Sequence, residues 1–431
     1  PRLTLNLGAR YELEVNHPVV GTDPNNIAPR IGLAWTITGD ARTVLRAGYG
    51  MFYSQNNLQI ANVADTLSGI YIQQVFVPLT GIPGLNNRLT GRPLTSADIY
   101  GTLLRQGVIG QRTIAREDLL QFGLAPNPAL PGAVIFGIVE DWRNPYSQQA
   151  SLEIERGIGS FAVSAAYNFN RGARIPRILN RNLAYGPPRP NGQPTFIHLD
   201  PRILQRNIFE ATANSFYHAG ILQLTKRFSE GIAVNAHYTF SKAMDEVTDF
   251  NTDFSPHDQL NARAERALSS FDQRHRFVVN AVLMSPVSSG GSSMKRLVEG
   301  WTFSPIVVAN SGRPFNVLTG VDNMGDNQVN THRPLGAGRN IGHGPKYFTI
   351  DARLSRRFGL GSENRNLEFI AEGFNLLNRT NFRTVNNVVG PITVDQLPRP
   401  LEGHRGGTTT PLAFTSAFDP RQFQFGLKLN F

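Results

Sequence analysis

Cysteine is missing from all 431 residues, which excludes disulfides, thiolate-held zinc, iron–sulfur centres and a cysteine nucleophile. Tryptophan (3) and methionine (5) are scarce, and charged residues make up only 17%, below the ~25% usual in soluble domains. No apolar run reaches the ~18 residues a membrane-crossing helix needs. No block of five or more like charges occurs, so the formal charge of +10 is thinly spread and gives no case for nucleic acid. Walker, G-x-S-x-G and H-E-x-x-H sequences are absent, and Gly48-Tyr-Gly50 lacks the third glycine of a dinucleotide fingerprint. His257, His275, His332, His343 and His404 stand at no metal-ligand spacing. No enzyme, cofactor or catalytic residue is therefore expected. The chain opens on Pro1-Arg2-Leu3, already inside an alternating pattern rather than a signal peptide. The expectation is a fragment of a longer protein.

What is present is alternation. The last residues place Phe423, Phe425, Leu427, Leu429 and Phe431 on one face of a strand, and Gln422, Gln424, Gly426, Lys428 and Asn430 on the other. The length matches the ~9–11 residues of a tilted membrane strand. The same period of two recurs at 2–14, 27–38, 42–54, 146–157, 160–171, 215–228 and 232–244, and less purely at 272–284, 299–309, 346–358 and 366–379. With the terminal segment that predicts twelve strands of an all-β, antiparallel transmembrane barrel.

The connections are sorted by length. Short ones lie at Gly39-Asp40-Ala41, Gly157-Ile158-Gly159, Ser229-Glu230-Gly231 and Gly359–Arg365, with a longer one at 285–298. Long ones fall between them at 15–26, 55–145, 172–214, 245–271, 310–345 and 380–419. Outer-membrane barrels carry short periplasmic turns and long external loops, whereas a soluble sandwich has no reason to sort them. Proline at 78, 83, 93, 126, 128 and 131, and at 187, 188, 190, 194 and 201, keeps those stretches out of central strands. The link 55–145 is too long to be structureless, and short helix is expected near Ser96–Gln106 or Ala115–Gln121.

Several phrases carry a family resemblance: Asn26-Ile-Ala-Pro-Arg-Ile-Gly-Leu-Ala-Trp35, Thr43-Val-Leu-Arg-Ala-Gly-Tyr-Gly-Met-Phe-Tyr53, Asn144-Pro-Tyr-Ser-Gln-Gln149, Tyr238-Thr-Phe-Ser-Lys242, Asp272-Gln-Arg-His-Arg-Phe277, Ser311-Gly-Arg-Pro-Phe315 and Glu372-Gly-Phe-Asn-Leu-Leu-Asn378. In order and spacing the chain resembles the C-terminal barrel portion of a TonB-dependent outer-membrane receptor of the Oar-like group. The resemblance implies a barrel of roughly 22 strands around a plug, so the first ten or so strands, the plug and the TonB box have no counterpart in residues 1–431. It implies energised uptake of a scarce solute (an oligosaccharide, peptide or metal chelate). The implied partners are the chain's own plug and missing strands, the TonB complex acting through the plug, lipopolysaccharide and outer-membrane lipid. Phe423, Phe425, Leu427, Leu429 and Phe431 resemble the signal read by the barrel-assembly machinery. A passive porin or a surface adhesin is the alternative reading, and a small complete twelve-stranded barrel also stays open.

Candidate lumen- or plug-facing residues are Arg10, Arg30, Arg46, Glu153, Glu155, Arg227, Arg276, Arg353, Glu368 and Lys428, with Asp351 and Glu372. Each alone reads as ordinary polar lining; together they read equally as a plug-contacting wall. Tyr11, Trp35, Tyr49, Tyr53, Tyr167, Phe169, Tyr238 and Phe240 are expected as aromatic girdles at the lipid surface. Asp322-Asn-Met-Gly-Asp326-Asn-Gln-Val-Asn330 faintly resembles a calcium loop, but Gly is misplaced and the final Glu is missing. A solvated external loop is the preferred reading there, and no metal is expected. Asp245, Glu246, Asp249 and Asp253 are likewise read as a loop cluster without a cation.

Overall fold

A computed structural model describes residues 2–70, 74–75, 81, 85–87, 90–124, 133–286, 299–362 and 365–431. One antiparallel sheet dominates it. Its wall strands are β1 (Leu3–Tyr11), β2 (Ile27–Thr36), β3 (Thr43–Tyr53), β4 (Tyr146–Ile158), β5 (Phe161–Asn180) and β6 (Ile203–Ser229). They continue as β7 (Ile232–Asp245), β8 (His275–Met284), β9 (Trp301–Asn310), β10 (Tyr347–Ser362), β11 (Arg365–Phe374) and β12 (Gln422–Asn430). The twelve follow one another in chain order, and each coincides with an alternating segment. No helix is long and apolar enough to cross a membrane; the strands are the elements with the required length.

Register keeps the two faces apart. Phe425 pairs with Ala371, Ala371 with Leu354, and Leu354 with Phe303, one apolar row across four strands. These side chains look outward: Leu427 is 71% exposed, Leu429 56%, Val163 44% and Leu224 38%. A soluble sheet would bury such a row; here it is left for hydrocarbon. The short turns lie at one end. Glu230 and Gly231 both take positive φ (52° and 75°), as the tightest hairpin turns require. Every long link leaves from the opposite end.

Two strands outrun the sequence expectation. β5 has 20 residues and β6 has 27, so 172–180 and 203–214 are ladder, not loop. They pair with each other, Asn207 opposite Asn180, while Ile203–Phe209 also meets a parallel strand at Ala133–Ile138. Alternation fails there because loops cover both faces; Arg177 through Asn180 are all buried. Helices α2 (Ser96–Arg105) and α3 (Arg116–Leu120) form where expected. The Thr95 hydroxyl caps α2 by accepting the Asp98 N–H at 3.1 Å. α1 (Leu58–Thr66) was not foreseen.

The apolar core sits in the loops rather than in the wall. Val20, Ile60, Ala64, Trp142, Ile178 and Phe209 form one buried cluster, and Val317, Leu397, Leu401 and Leu412 another. Among the described residues no pairing joins β1 to β12, so the sheet has two free edges.

Candidate functional site

The inner face of the wall carries ion-pair ladders. Arg46 lies opposite Glu153 and reaches it at 3.8 Å, and Glu155 at 3.4 Å. Arg353 spans Glu368 (3.7 Å) and Glu372 (3.8 Å), and Arg357 joins Glu368 at 3.5 Å. Glu372 also accepts from Gln424, and Lys428 stands opposite Glu368. Arg10 and Arg30 share Glu12, at 3.2 and 3.8 Å. Most of the cations are half-exposed, so each pair contributes only ~0–1 kcal/mol. Arg276 sits between Thr239 and Asn310 in register, and Arg227 is exposed near the short-turn end. Asp351 instead caps a strand end, accepting from Thr349 Oγ1 and the Asn375 N–H, both at 2.8 Å. Higher on the same face, Arg30 lies over the Phe52 ring at 4.6 Å beside a hollow of about 470 Å³.

On the outer face Tyr11, Trp35, Tyr49, Tyr167 and Phe240 are exposed, as girdle residues should be, while Tyr53 packs on Tyr146 at 5.6 Å. Sequence reasoning missed two histidines in this belt. Tyr167 OH meets His218 Nδ1 and Tyr238 OH meets His275 Nδ1, each at 2.7 Å. Phe423, Phe425, Leu427 and Leu429 share the outer face of edge strand β12, and Phe431 is 94% exposed.

The external loops form a welded cap. Arg333 holds Glu265 with two bonds (2.8 and 2.7 Å), both groups buried. Arg339 reaches Asp245 at 2.5 Å and Thr248 Oγ1 at 2.7 Å. Burial alone raises the Glu265 pKa, but the Arg333 hydrogen bonds and charge, with Arg339 beyond, overcome it and hold the carboxyl below its ordinary value. Burial, then the charge of Arg333, pushes the His257 imidazole down to about 4. The acidic group at 245–253 is not a cluster in space. Asp245 serves Arg339, Glu246 accepts the Asn214 N–H (3.0 Å), Asp249 accepts the Asn251 N–H (3.2 Å), and Asp253 accepts from Asn330 (3.1 Å). The loop 322–330 is solvated only in part: Gly325, Asn327, Val329 and Asn330 are exposed, as expected, while Asn323, Met324, Asp326 and Gln328 are buried beneath neighbouring links.

A vestibule opens where β8 to β12 meet these loops. Two adjoining hollows of about 740 Å³ each share Ser311, Pro314, Gly344, Pro345 and Phe382. Arg274, Arg313, Lys346, Arg379, Arg383 and Arg405 line them, against Asp272 and Glu402. Three guanidiniums lie over rings: Arg379 on Phe348 (5.9 Å), Arg383 on Phe418 (5.8 Å) and Arg405 on Phe382 (5.8 Å). The guanidiniums held over these rings offer planar N–H forks that suit carboxylate or phosphate groups. No single segment announces the vestibule, because it is assembled from six separated stretches.

Such a wall, apolar outside, charged inside and roofed at one end, defines an integral protein of the bacterial outer membrane. The chain belongs to the outer-membrane β-barrel domain family, whose model matches residues 14–337 and 330–424. Its fold is similar to that of the outer-membrane transporter YddB from Escherichia coli (11% identity, TM-score 0.53, 100% of this chain on 43% of that one). A variant of the ferric enterobactin receptor PfeA from Pseudomonas aeruginosa (14%, TM-score 0.50, 100% on 43%) is similarly related, as is the siderophore receptor PirA from Acinetobacter baumannii (11%, TM-score 0.51, 100% on 44%). The chain thus spans less than half the length of these relatives. Comparison with curated proteins gives no match.

Proposed function

We propose that this chain is the C-terminal part of the wall of an energised outer-membrane importer. Further strands of the same polypeptide close the barrel between β1 and β12, a plug fills it against the Arg46 and Arg353 ladders, and the TonB complex acts through that plug. The assembly machinery takes β12 by its outward Phe423–Phe431 row, and the girdle rests against lipopolysaccharide and lipid. The observation that carries the solute class is the vestibule, where six cationic side chains and the rings of Phe382 and Phe418 face two acids. The solute is anionic: an acidic peptide or oligosaccharide, or a negatively charged metal chelate.

The test is uptake by cells carrying the full-length polypeptide. Labelled anionic solutes should enter only while the proton gradient stands, and neutral solutes of equal size should not compete. Replacing Arg383 and Arg405 together by Gln removes two cations from the vestibule, which at ~0.5–1 kcal/mol per exposed charge contact weakens anion capture about tenfold. Uptake that persists after the gradient collapses would make the protein a passive porin and overturn the proposal.

A further inference from the structure

Loop 322–332 brings three metal-ligating side chains into one buried place. Single ligand atoms of Asp322, Asp326 and His332 all lie within 4.8 Å of one another. Asp326 and His332 are each 0% exposed. The turn that gathers them is built by Asp322 itself: Oδ1 accepts the Met324 and Gly325 N–H groups (3.2 and 2.7 Å) and Oδ2 accepts the Asn327 N–H (2.8 Å). This turn carries Asp326 inward. The Asn323 N–H donates to His332 Nδ1 at 3.1 Å and fixes the ring from the other side.

What the arrangement leaves over points to a ligand. Asp326 Oδ2 and His332 Nε2 are buried and have no hydrogen-bond partner among the described residues. His332 Nε2 lies 3.0 Å from Asp326 Oδ1, but off the axis of a hydrogen bond. Asn323 Oδ1 and Thr331 Oγ1, immediately beside them in sequence, are buried and unpartnered as well. Buried polar atoms are nearly always satisfied, and here an orphaned carboxylate oxygen and an orphaned imidazole nitrogen belong to two side chains only 3.0 Å apart, both of them metal-ligating types.

We propose that Asp326 and His332, with Asp322 completing the set, hold a divalent transition-metal ion of the zinc or manganese class. One imidazole among carboxylate oxygens suits these metals better than calcium, which takes six to eight oxygens. Ligation through Nε2 moves the ring proton to Nδ1. Loading therefore breaks the bond that the Asn323 N–H gives to Nδ1 without the ion. The ion is structural. Met324 O accepts the Phe196 N–H at 2.6 Å, Asn327 Nδ2 meets His198 at 3.1 Å, and the His332 ring lies 5.5 Å from that of His257. One ion at this point ties three external links together.

The test uses the purified, tag-free full-length polypeptide in detergent, stripped with chelator and titrated with Zn2+ and with Mn2+. One equivalent should bind, and should slow proteolysis of the external loops at least tenfold. Asp326→Asn and His332→Gln should each lower affinity a hundredfold or more, while retained heat-modifiable mobility shows that the wall still forms. X-ray absorption of the bound metal should show one imidazole among oxygen donors. Failure of the unaltered chain to bind, or unchanged binding by Asp326→Asn, would overturn the proposal and leave a plain buried Asp–His contact. Because the site lies outside the vestibule, neither result bears on solute uptake.

Discussion

Glu265 shows how much of the cap hangs on single side chains. Its carboxylate is buried and answered by Arg333 and, at 4.0 Å, by Arg339. Replacing one member of such a pair leaves the other charge buried and alone, at about 3–5 kcal/mol. Glu265→Gln should therefore open the external loops to protease without changing the wall, as measured by cleavage rate on the folded protein. The pH dependence has a definite sign. The folded pKa lies below the ordinary 4.5, so the pair's contribution is complete above about pH 4.5 and fades as the pH drops through the depressed value. Protease sensitivity of the loops should rise in that acid window, and should already begin to rise below about pH 6.5, because an opened loop lets the His257 imidazole take the proton that its folded site, with a pKa of about 4, refuses. The face of a side chain was legible in advance: a period of two puts Arg46 and Arg353 on the same face as the carboxylates they meet, while the pairing itself depends on register. Other features were not. The glycine of Ser311-Gly-Arg-Pro-Phe315 is explained only by the fold, since a Cβ on Gly312 would stand 1.8 Å from the Gly344 carbonyl oxygen. Asp326 and His332 meet through a turn whose hydrogen bonds leave no periodic trace.

The element is the scale at which sequence spoke most clearly. A membrane strand has one face in hydrocarbon and one in a polar interior, so its pattern is set by solvent on both sides and needs no knowledge of partners. All twelve wall strands were recoverable on that ground. The upper halves of β5 and β6 were hidden because loops cover both faces and the alternation stops. α1 was hidden inside a long link, where burial of Ile60, Ala61 and Ala64 against other loop segments decides the fold. Three of the family-like phrases, Asn144–Gln149, Asp272–Phe277 and Glu372–Asn378, span strand-to-loop junctions: Asn144 binds Asn56 Nδ2 at 2.8 Å, and Asp272 accepts the Ala243 N–H at 2.6 Å. If the outer face meets lipid, a charge near mid-strand should be costly there and cheap inside. Leu427→Arg should reduce assembled protein by ~2–4 kcal/mol near the membrane midplane, whereas Lys428→Ala on the opposite face should change little. The fraction running as heat-modifiable barrel on a gel is the readout.

At the scale of the molecule, the two free edges are decisive. β1 and β12 each present a row of backbone groups that no described strand answers. Hydrocarbon offers no substitute for those hydrogen bonds, so a spanning sheet must close. Residues 1–431 expressed alone should yield aggregated or protease-sensitive material, whereas a longer polypeptide supplying the remaining strands should yield a resistant barrel. A stable, monomeric, detergent-soluble barrel from these residues alone would show instead that β1 and β12 can meet.

The unequal lengths of the strands give this surface its relief. With 20 and 27 residues, at roughly 3.3 Å each, β5 and β6 are about twice as long as a membrane crossing demands. The excess stands as a ridge, tens of ångströms tall, on the outer side of the cell. A broad object that approaches from outside, such as an antibody, should therefore meet this ridge and the loops that cover it.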